Sequence, residues 1–150
     1  MSSTTIVCTD GSDLAIAAAI AGLSVLAPSD RLVIVTVVPE PALTLPYDAS
    51  GMGGAVITPD EAVQIEQDLL AGGTEIVERT AAAVGVTDYE SRILMGGAGR
   101  AVCELAEELA ATVVLLGSRG NSGLKRALLG SVSDHVVRHA PCPVLVVPAS

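Results

Sequence analysis

A glycine-rich segment from Gly117 to Ser133 holds the residues best suited to bind an anion in this sequence. Its four glycines let main-chain N–H groups approach an oxyanion closely, because no Cβ stands in the way. Gly130 and Ser131 then open a predicted helix, whose first N–H groups and positive dipole end attract phosphate. The side chains that could add donors or positive charge are Ser131, Ser133, Arg119, Lys125 and Arg126. The segment predicts a phosphate site; the alternative is a glycine-rich turn before an ordinary serine-capped helix.

The charge distribution favours a small anion at the same end of the chain. The formal net charge is −9, yet residues 119–150 hold four of the eight basic side chains and one of the 17 acidic ones. A locally positive region in an acidic protein is a candidate anion site. An acidic chain with two Tyr, no Trp and no Phe lacks both the charge and the stacking surface of a general nucleic-acid binder. We therefore expect neither nucleic acid nor a membrane as partner.

The elements that must position this segment alternate between strands and helices. Several predicted strands are almost continuously apolar, which is typical of strands that are covered on both faces. This alternation predicts an α/β fold with a doubly wound, open parallel sheet of five strands, helices on both faces and right-handed crossovers. The predicted strands are 6–8, 32–38, 89–95, 112–116 and 144–147. The predicted helices are 12–26, one from Thr58 to about Val84 that Gly72 and Gly73 weaken, one around 102–109, and 130–139.

Length and cysteine content indicate one domain in a reducing compartment. A chain of 150 residues suits a single domain over residues 1–150. The three cysteines are Cys8, Cys103 and Cys142; they form no CxxC pair, which argues against a disulfide framework and a structural zinc site. The first 13 residues contain no basic side chain, and the longest apolar run has 14 residues where a bilayer span needs about 20. We therefore expect a cytoplasmic protein.

Three loops follow strands at the edge of the sheet where ligands bind in such folds. Ligands of open α/β sheets sit beyond the carboxyl ends of the strands, where the strand order reverses. The loops are Thr9–Ser12, Val38–Glu40 and the glycine-rich segment. The stretch from Pro39 to Ile57 has no periodicity, which predicts either a mobile flap or a disordered segment.

Four segments, in the same order along the chain, carry a resemblance to a known family. Gly117, Gly120, Gly130 and Ser131 have the spacing Gly, two residues, Gly, nine residues, Gly, then Ser or Thr. The other segments are Thr9–Ser12, Val33–Val38 and Ala140–Val147. Together they resemble the ATP-binding branch of the universal stress protein family over nearly the whole chain. The resemblance implies the strand order 3-2-1-4-5 of adenine nucleotide alpha hydrolase-like folds, with ATP between strands one and four.

The resemblance also implies a role for each site residue. Asp10 would lie near the adenine or the ribose, with Thr9 and Gly11 beside it, and the main chain of Val37 would meet the adenine edge. The residues that would line the ribose and triphosphate are Gly117, Ser118, Arg119, Gly120, Gly130, Ser131, Val132 and Ser133. Mg²⁺ would accompany the triphosphate and be held mainly by phosphate and water, because the loop has no carboxylate cage. Asp10 has an alternative role as the cap of the first helix.

The implied function is nucleotide binding rather than efficient catalysis. The expectation is a stress-response or signalling module with at most slow ATP hydrolysis, because no base or water-positioning group is evident. Two alternatives stay open: an ATP-hydrolysing or nucleotidyl-transferring enzyme that needs a partner, and a nucleotide-free, chaperone-like stress protein. The sequence also leaves open whether ATP, AMP or a cyclic nucleotide is the ligand. The apolar last strand, Val144–Val147, is implied to pair across a homodimer.

Two other patterns resemble known cofactor or metal motifs, but each lacks a residue that the motif requires. Gly97, Ala98 and Gly99 begin like a dinucleotide fingerprint, but Val102 stands where the third glycine belongs. The family often has Gly-x-Pro at this place, which leaves the local turn undetermined. His135 and His139 have the spacing of a metal pair without the glutamate of a metalloprotease, so we expect them to interact with carbonyls near the helix end.

Overall fold

A parallel sheet of five strands forms the centre of the part of the protein that the structure describes. The computed structural model describes residues 2–41, 57–119 and 129–148. The strands are β1 (Thr4–Cys8), β2 (Arg31–Val38), β3 (Glu90–Met95), β4 (Val113–Gly117) and β5 (Val144–Val147), and the helices are α1 (Asp13–Val25), α2 (Pro59–Val84), α3 (Ala98–Glu108) and α4 (Ser131–His139). The strand order is β3-β2-β1-β4-β5 with parallel neighbours throughout, so the predicted fold class and strand order are confirmed.

The strand boundaries differ from the prediction by one or two residues at several ends. β1 begins at Thr4 rather than Ile6, because Thr4 and Thr5 are buried and pair with β2. Thr112 was predicted to begin β4 but precedes it. It ties the starts of the two strands together: its N–H donates to the Thr4 carbonyl at 2.8 Å, and its hydroxyl accepts from the Thr4 N–H at 3.0 Å.

Apolar side chains cover both faces of the sheet. Successive residues of a strand point to opposite faces, so Ile6 packs in one core and Val7 in the other. The core on the Ile6 side includes Val102 of α3 and Val136 of α4. The core on the Val7 side is closed by α1 and α2 and includes Ala19, Val77, Ala81 and Leu115. This explains why the central strands are apolar along their whole length.

α1 packs unusually close to β4, with a glycine on each element at the contact. A Cβ added at Gly22 of α1 would overlap the Leu115 side chain, with Cγ of Leu115 only 2.8 Å away. A Cβ added at Gly117 of β4 would lie 3.2 Å from Cβ of Ala18. A side chain at Gly22 would require Leu115 to move, and one at Gly117 would require a small shift of Ala18 or of the strand.

α2 is continuous through the two glycines that were expected to weaken it. A capping box begins the helix: the Glu61 N–H donates to Oγ1 of Thr58 at 3.2 Å, and the Glu61 carboxylate accepts from the Thr58 N–H at 2.8 Å. A Cβ at Gly73 would lie 2.7 Å from Cγ2 of Ile93, so glycine lets the helix approach β3.

No helix in the described ranges combines the length and apolar character that crossing a membrane requires. Residues 42–56 of the predicted flap lie outside the described part of the chain.

Candidate functional site

A cleft opens at the carboxyl ends of β1, β2 and β4, beside the first turn of α4. It has a volume of about 280 Å³. β1 and β4 are neighbours whose following helices pack on opposite faces of the sheet, so the cleft lies where the strand order reverses. The predicted site residues that line it are Thr9, Asp10, Val37, Gly117, Ser118, Arg119, Gly130, Ser131, Val132 and Ser133.

Two of the predicted site residues are not among the lining residues. Gly11 is buried and faces α2 rather than the cleft, because a Cβ there would lie 3.1 Å from Cγ1 of Ile76. Its φ of 76° requires glycine for conformational reasons. Gly120 lies outside the described residues, as do Lys125 and Arg126.

The cleft also has an apolar part that the sequence analysis missed. Its lining includes Cys8, Ala98 and Val102, which come from the end of β1 and the start of α3. Val102 is also a core residue of α3. The apolar pattern of a helix does not reveal which of its core residues borders an opening, so no sequence signal distinguishes this part of the cleft.

On the α1 side, the loop after β1 satisfies its own hydrogen bonds. Oδ1 of Asp10 accepts from the Ser12 N–H at 2.9 Å, which forms a tight turn. Oγ of Ser12 accepts from the Ala15 N–H at 3.1 Å, so Ser12 is the N-cap of α1. The alternative role proposed for Asp10, capping the helix, is therefore taken by Ser12, and Asp10 shapes the turn before it.

On the α4 side, the first turn of the helix has no side-chain cap. Gly130 occupies the N-cap position, and the first helical bond runs from the Asp134 N–H to the Gly130 carbonyl at 2.9 Å. The N–H groups of Ser131, Val132 and Ser133 precede this bond and point out of the helix end. These three main-chain donors, with the positive end of the helix dipole, face the cleft.

Two contacts join the start of α4 to the end of β4. The Gly130 N–H donates to the Ser118 carbonyl at 2.6 Å, and the buried Ser133 hydroxyl lies 3.0 Å from the same carbonyl and 3.1 Å from that of Gly130. A hydroxyl has one hydrogen to donate, and these carbonyls take it. The sequence analysis expected that hydroxyl as a phosphate donor, whereas the structure leaves Ser133 its main-chain N–H for a ligand.

Arg119 lines the cleft and carries a buried donor that lacks a partner in the described part of the chain. Its Nε is buried and has no hydrogen-bond partner within residues 2–41, 57–119 and 129–148. An unmet buried donor costs about 1–3 kcal/mol, and more when the group is charged. An anion in the cleft would remove this cost.

The Cys8 thiol, which lines the cleft, is not activated as a nucleophile. Burial, with a smaller contribution from Cys103, raises the pKa of the Cys8 thiol to about 12, so it remains protonated near neutral pH. Nδ1 of His139 lies 2.9 Å from the main-chain oxygen of His135, and the two rings stack 4.3 Å apart. The predicted interaction with a carbonyl near the helix end is confirmed for His139.

Comparisons with known proteins agree with this architecture. The model of the universal stress protein family matches residues 1–148. A putative universal stress protein of Staphylococcus haemolyticus is 39% identical over 82 residues, which are 54% of this chain and 47% of the relative. The chain thus spans about half the length of the curated relatives it matches.

Two solved structures are similar over almost the whole chain. A universal stress protein in complex with cAMP is 31% identical, with a TM-score of 0.61 over 99% of this chain and 98% of that one. A universal stress protein family protein from Arabidopsis thaliana with AMP bound is 19% identical, with a TM-score of 0.59 over 99% of this chain and 92% of that one. The family match, the sheet order and the cleft agree, and this chain belongs to the universal stress protein family.

Proposed function

We propose that this protein binds an adenine nucleotide, with ATP as the ligand, in the cleft between β1 and β4. It would act as a nucleotide-dependent stress-response or signalling module with at most slow hydrolysis. The observation that carries the proposal is a cleft lined both by Arg119, whose buried Nε has no partner among the described residues, and by the start of α4, which lacks a side-chain cap.

The phosphates would lie against the start of α4. Uncapped helix N-termini are ready-made anion sites, because the free N–H groups converge and the dipole adds positive potential. The Arg119 guanidinium supplies a full charge and a planar set of donors that suits phosphate oxygens. Gly130 keeps the approach open, since its position carries no side chain.

The base would lie in the apolar part of the cleft. Cys8, Val37, Ala98 and Val102 surround this part, which gives a flat aromatic base an apolar contact surface. A related structure at 31% identity holds cAMP, which supports an adenine compound as the ligand class.

Binding fits the described residues better than catalysis does. Asp10 is the only carboxylate among the described lining residues, and it already accepts from the Ser12 N–H. This set fits a Mg²⁺ ion that is held mostly by phosphate oxygens and water, as the ion prefers. When bound, the ion would neutralise phosphate charge, while Arg119 and the α4 N–H groups orient the triphosphate.

Nucleotide extraction tests the proposal directly. Freshly purified protein is heated, and the released compounds are identified by chromatography; we expect an adenine nucleotide. Calorimetry with ATP, AMP, cAMP and GTP then measures which phosphate and base the cleft prefers, with ATP expected to bind most tightly. Absence of binding by every adenine nucleotide would overturn the proposal. Single-turnover hydrolysis, with and without cell extract, separates a binding module from an enzyme that needs a partner.

We also propose that the protein forms a homodimer through β5. This strand is at the edge of the sheet, and its four residues, Val144–Val147, are apolar and only partly buried. Natural proteins cover such edges, because unpaired main-chain groups recruit further strands. Analytical ultracentrifugation should show a dimer at micromolar concentration, and Val147→Lys, at a position of β5 that belongs to neither core, should shift it towards monomer.

A further inference from the structure

A series of three hydrogen bonds joins the middle of α2 to the loop after β1. Thr80 of α2 is fully buried, and its hydroxyl donates to the Ile76 carbonyl at 2.9 Å. Oγ1 of Thr80 lies 3.0 Å from Oγ1 of Thr9, which is also buried. The Gly11 N–H donates to Oγ1 of Thr9 at 3.1 Å. The series therefore runs from the Gly11 main chain to the Ile76 main chain through two hydroxyl groups.

One arrangement of hydrogens satisfies all three contacts. Each threonine hydroxyl has a single hydrogen and two acceptor positions. Thr80 gives its hydrogen to the Ile76 carbonyl, so Thr9 is the donor in the bond between the two hydroxyls. The Thr9 oxygen is then free to accept from Gly11. The Thr9 side chain therefore has no hydrogen left for a ligand, although Thr9 lines the cleft.

The same loop is held in place by close packing and by the sheet. Gly11, at a φ of 76°, lies against Ile76, one turn before Thr80 on α2. The Thr9 N–H donates to the Val35 carbonyl at 3.0 Å, which fixes the main chain to β2. Asp10 lies between Thr9 and Gly11, so the turn at Asp10 depends on the positions of both neighbours.

We propose that Thr80 is a positioning residue of the nucleotide site, which acts through Thr9 and Gly11 to hold the Asp10 turn at the cleft. Thr80 does not itself line the cleft. This inference rests on the proposed function and adds a residue from α2, an element that contributes no lining residue among those described.

A second threonine of α2 supplies a matched control. The Thr74 hydroxyl donates to the Leu70 carbonyl at 3.0 Å, which is the same bond one turn back along its own helix. Thr74 is exposed and has no part in the series to Gly11. Thr74→Val removes the intrahelical bond alone, whereas Thr80→Val also removes the acceptor of the Thr9 hydroxyl.

The experiment compares wild type, Thr80→Val, Thr80→Ser and Thr74→Val. Calorimetry gives the ATP dissociation constant, and amide hydrogen exchange by NMR follows the Gly11 N–H. We expect Thr80→Val to weaken ATP binding by roughly fivefold to tenfold, the usual effect of one lost hydrogen bond, and to speed Gly11 exchange. Thr80→Ser keeps the oxygen and should restore both values, and Thr74→Val should change neither. Thr80→Ala replaces Thr80→Val if that variant does not fold.

The outcomes separate this inference from the proposed function. Wild-type protein that binds no adenine nucleotide overturns the proposed function, and this inference with it. Wild-type binding together with unchanged ATP affinity and Gly11 exchange in Thr80→Val overturns only the role of Thr80. The role of Thr80 is also overturned if Thr80→Val lowers the melting temperature without changing ATP affinity, or if Thr80→Ser fails to restore binding.

Discussion

α1 and α4 both begin at the carboxyl edge of the sheet, yet only α1 caps its own first turn. Ser12 and Asp10 accept the main-chain donors at the start of α1. At the start of α4, glycine stands at the cap position, and the cleft there is also lined by Arg119, whose Nε has no partner within the described ranges. The self-capped end contributes to stability of the empty protein. The start of α4 has no side-chain cap among the described residues, and a bound anion would supply the missing hydrogen-bond acceptors.

α3 supplies an internal check on this comparison. Its N-cap, Gly97, also lacks a side-chain hydrogen bond, and Ala98 next to it lines the cleft. No unpaired buried cation is found beside it among the described residues. If an uncapped helix end alone were sufficient for phosphate binding, α3 and α4 would bind phosphate equally well. Substitutions at the two helix starts should therefore change ATP affinity by different amounts.

The largest effect is expected for Gly130→Val. A Cβ there would lie 3.3 Å from the Ser118 carbonyl, and the branched methyl groups would occupy the approach to the α4 N–H groups. We expect ATP affinity to fall by roughly 100-fold, or about 3 kcal/mol, measured by calorimetry.

Gly97→Val is the matched control for that variant. It places the same side chain at the N-cap of α3, where an added Cβ would have no atom within 4 Å. We expect ATP affinity within about threefold of wild type, since the phosphates are assigned to α4. Equal losses in both variants would contradict the assignment.

Arg119→Gln should have the next largest effect. Loss of a charged hydrogen-bond donor to phosphate costs about 1.5–3 kcal/mol, so ATP affinity should fall at least about tenfold. The melting temperature without nucleotide should not fall, because the Nε has no partner among the described residues. Arg100→Gln is the control: Arg100 is exposed and pairs with Glu104 at 2.7 Å, so nucleotide affinity should not change. A lower melting temperature in Arg119→Gln would indicate a structural role instead.

Ser12→Ala tests the self-capped side and should have a smaller effect. Loss of the cap of α1 should reduce the free energy of unfolding by about 1 kcal/mol, measured by urea denaturation. ATP affinity should change by less than about threefold, because the cap does not face the phosphates. Thr58→Ala removes the equivalent cap of α2 and provides the comparison. If Ser12→Ala lowered ATP affinity as much as Gly130→Val, this would contradict the proposal that the phosphates lie at the start of α4 and not at the start of α1.

The smallest effect is expected on the free energy of unfolding, from ionisation of the Cys8 thiol at the end of β1. Its pKa of about 12 in the folded protein is above that of an unfolded thiol, so the folded state holds the proton more tightly. The stabilisation is complete below the unfolded pKa and is lost as pH rises towards 12. We expect the free energy of unfolding to fall by less than about 1 kcal/mol at pH 9, and Cys8→Ala should make this fall smaller. Stability that rises with pH in this range would contradict the assignment.

Apolar patterning predicted the sheet well, because its strands are buried on both faces. Hydrogen-bond direction was not predictable. The sequence cannot show that the Ser133 hydroxyl is used by main-chain carbonyls, or that Thr80 meets Thr9 from 71 residues away. Both facts depend on which elements pack together.

Glycine roles were predictable only in part. Gly117 was assigned to anion approach, and the structure adds a packing reason in its contact with Ala18. Gly73 looked like a weak point in α2, and it permits close packing on Ile93. In both cases the requirement comes from a neighbouring element that is distant in sequence.

The single domain over residues 1–150 and the cytoplasmic location stay predictions.

The paired glycine contacts between α1 and β4 limit how the protein can respond to a ligand. Gly22 packs against the Leu115 side chain and Gly117 against Ala18, so a sliding motion of the helix along the strand would make these contacts overlap. The β1–α1 loop and the end of β4 should therefore move as one rigid body. Any rearrangement that signals an occupied site to another protein is then expected in α4, the element proposed to contact the phosphates, which lies on the opposite face of the sheet.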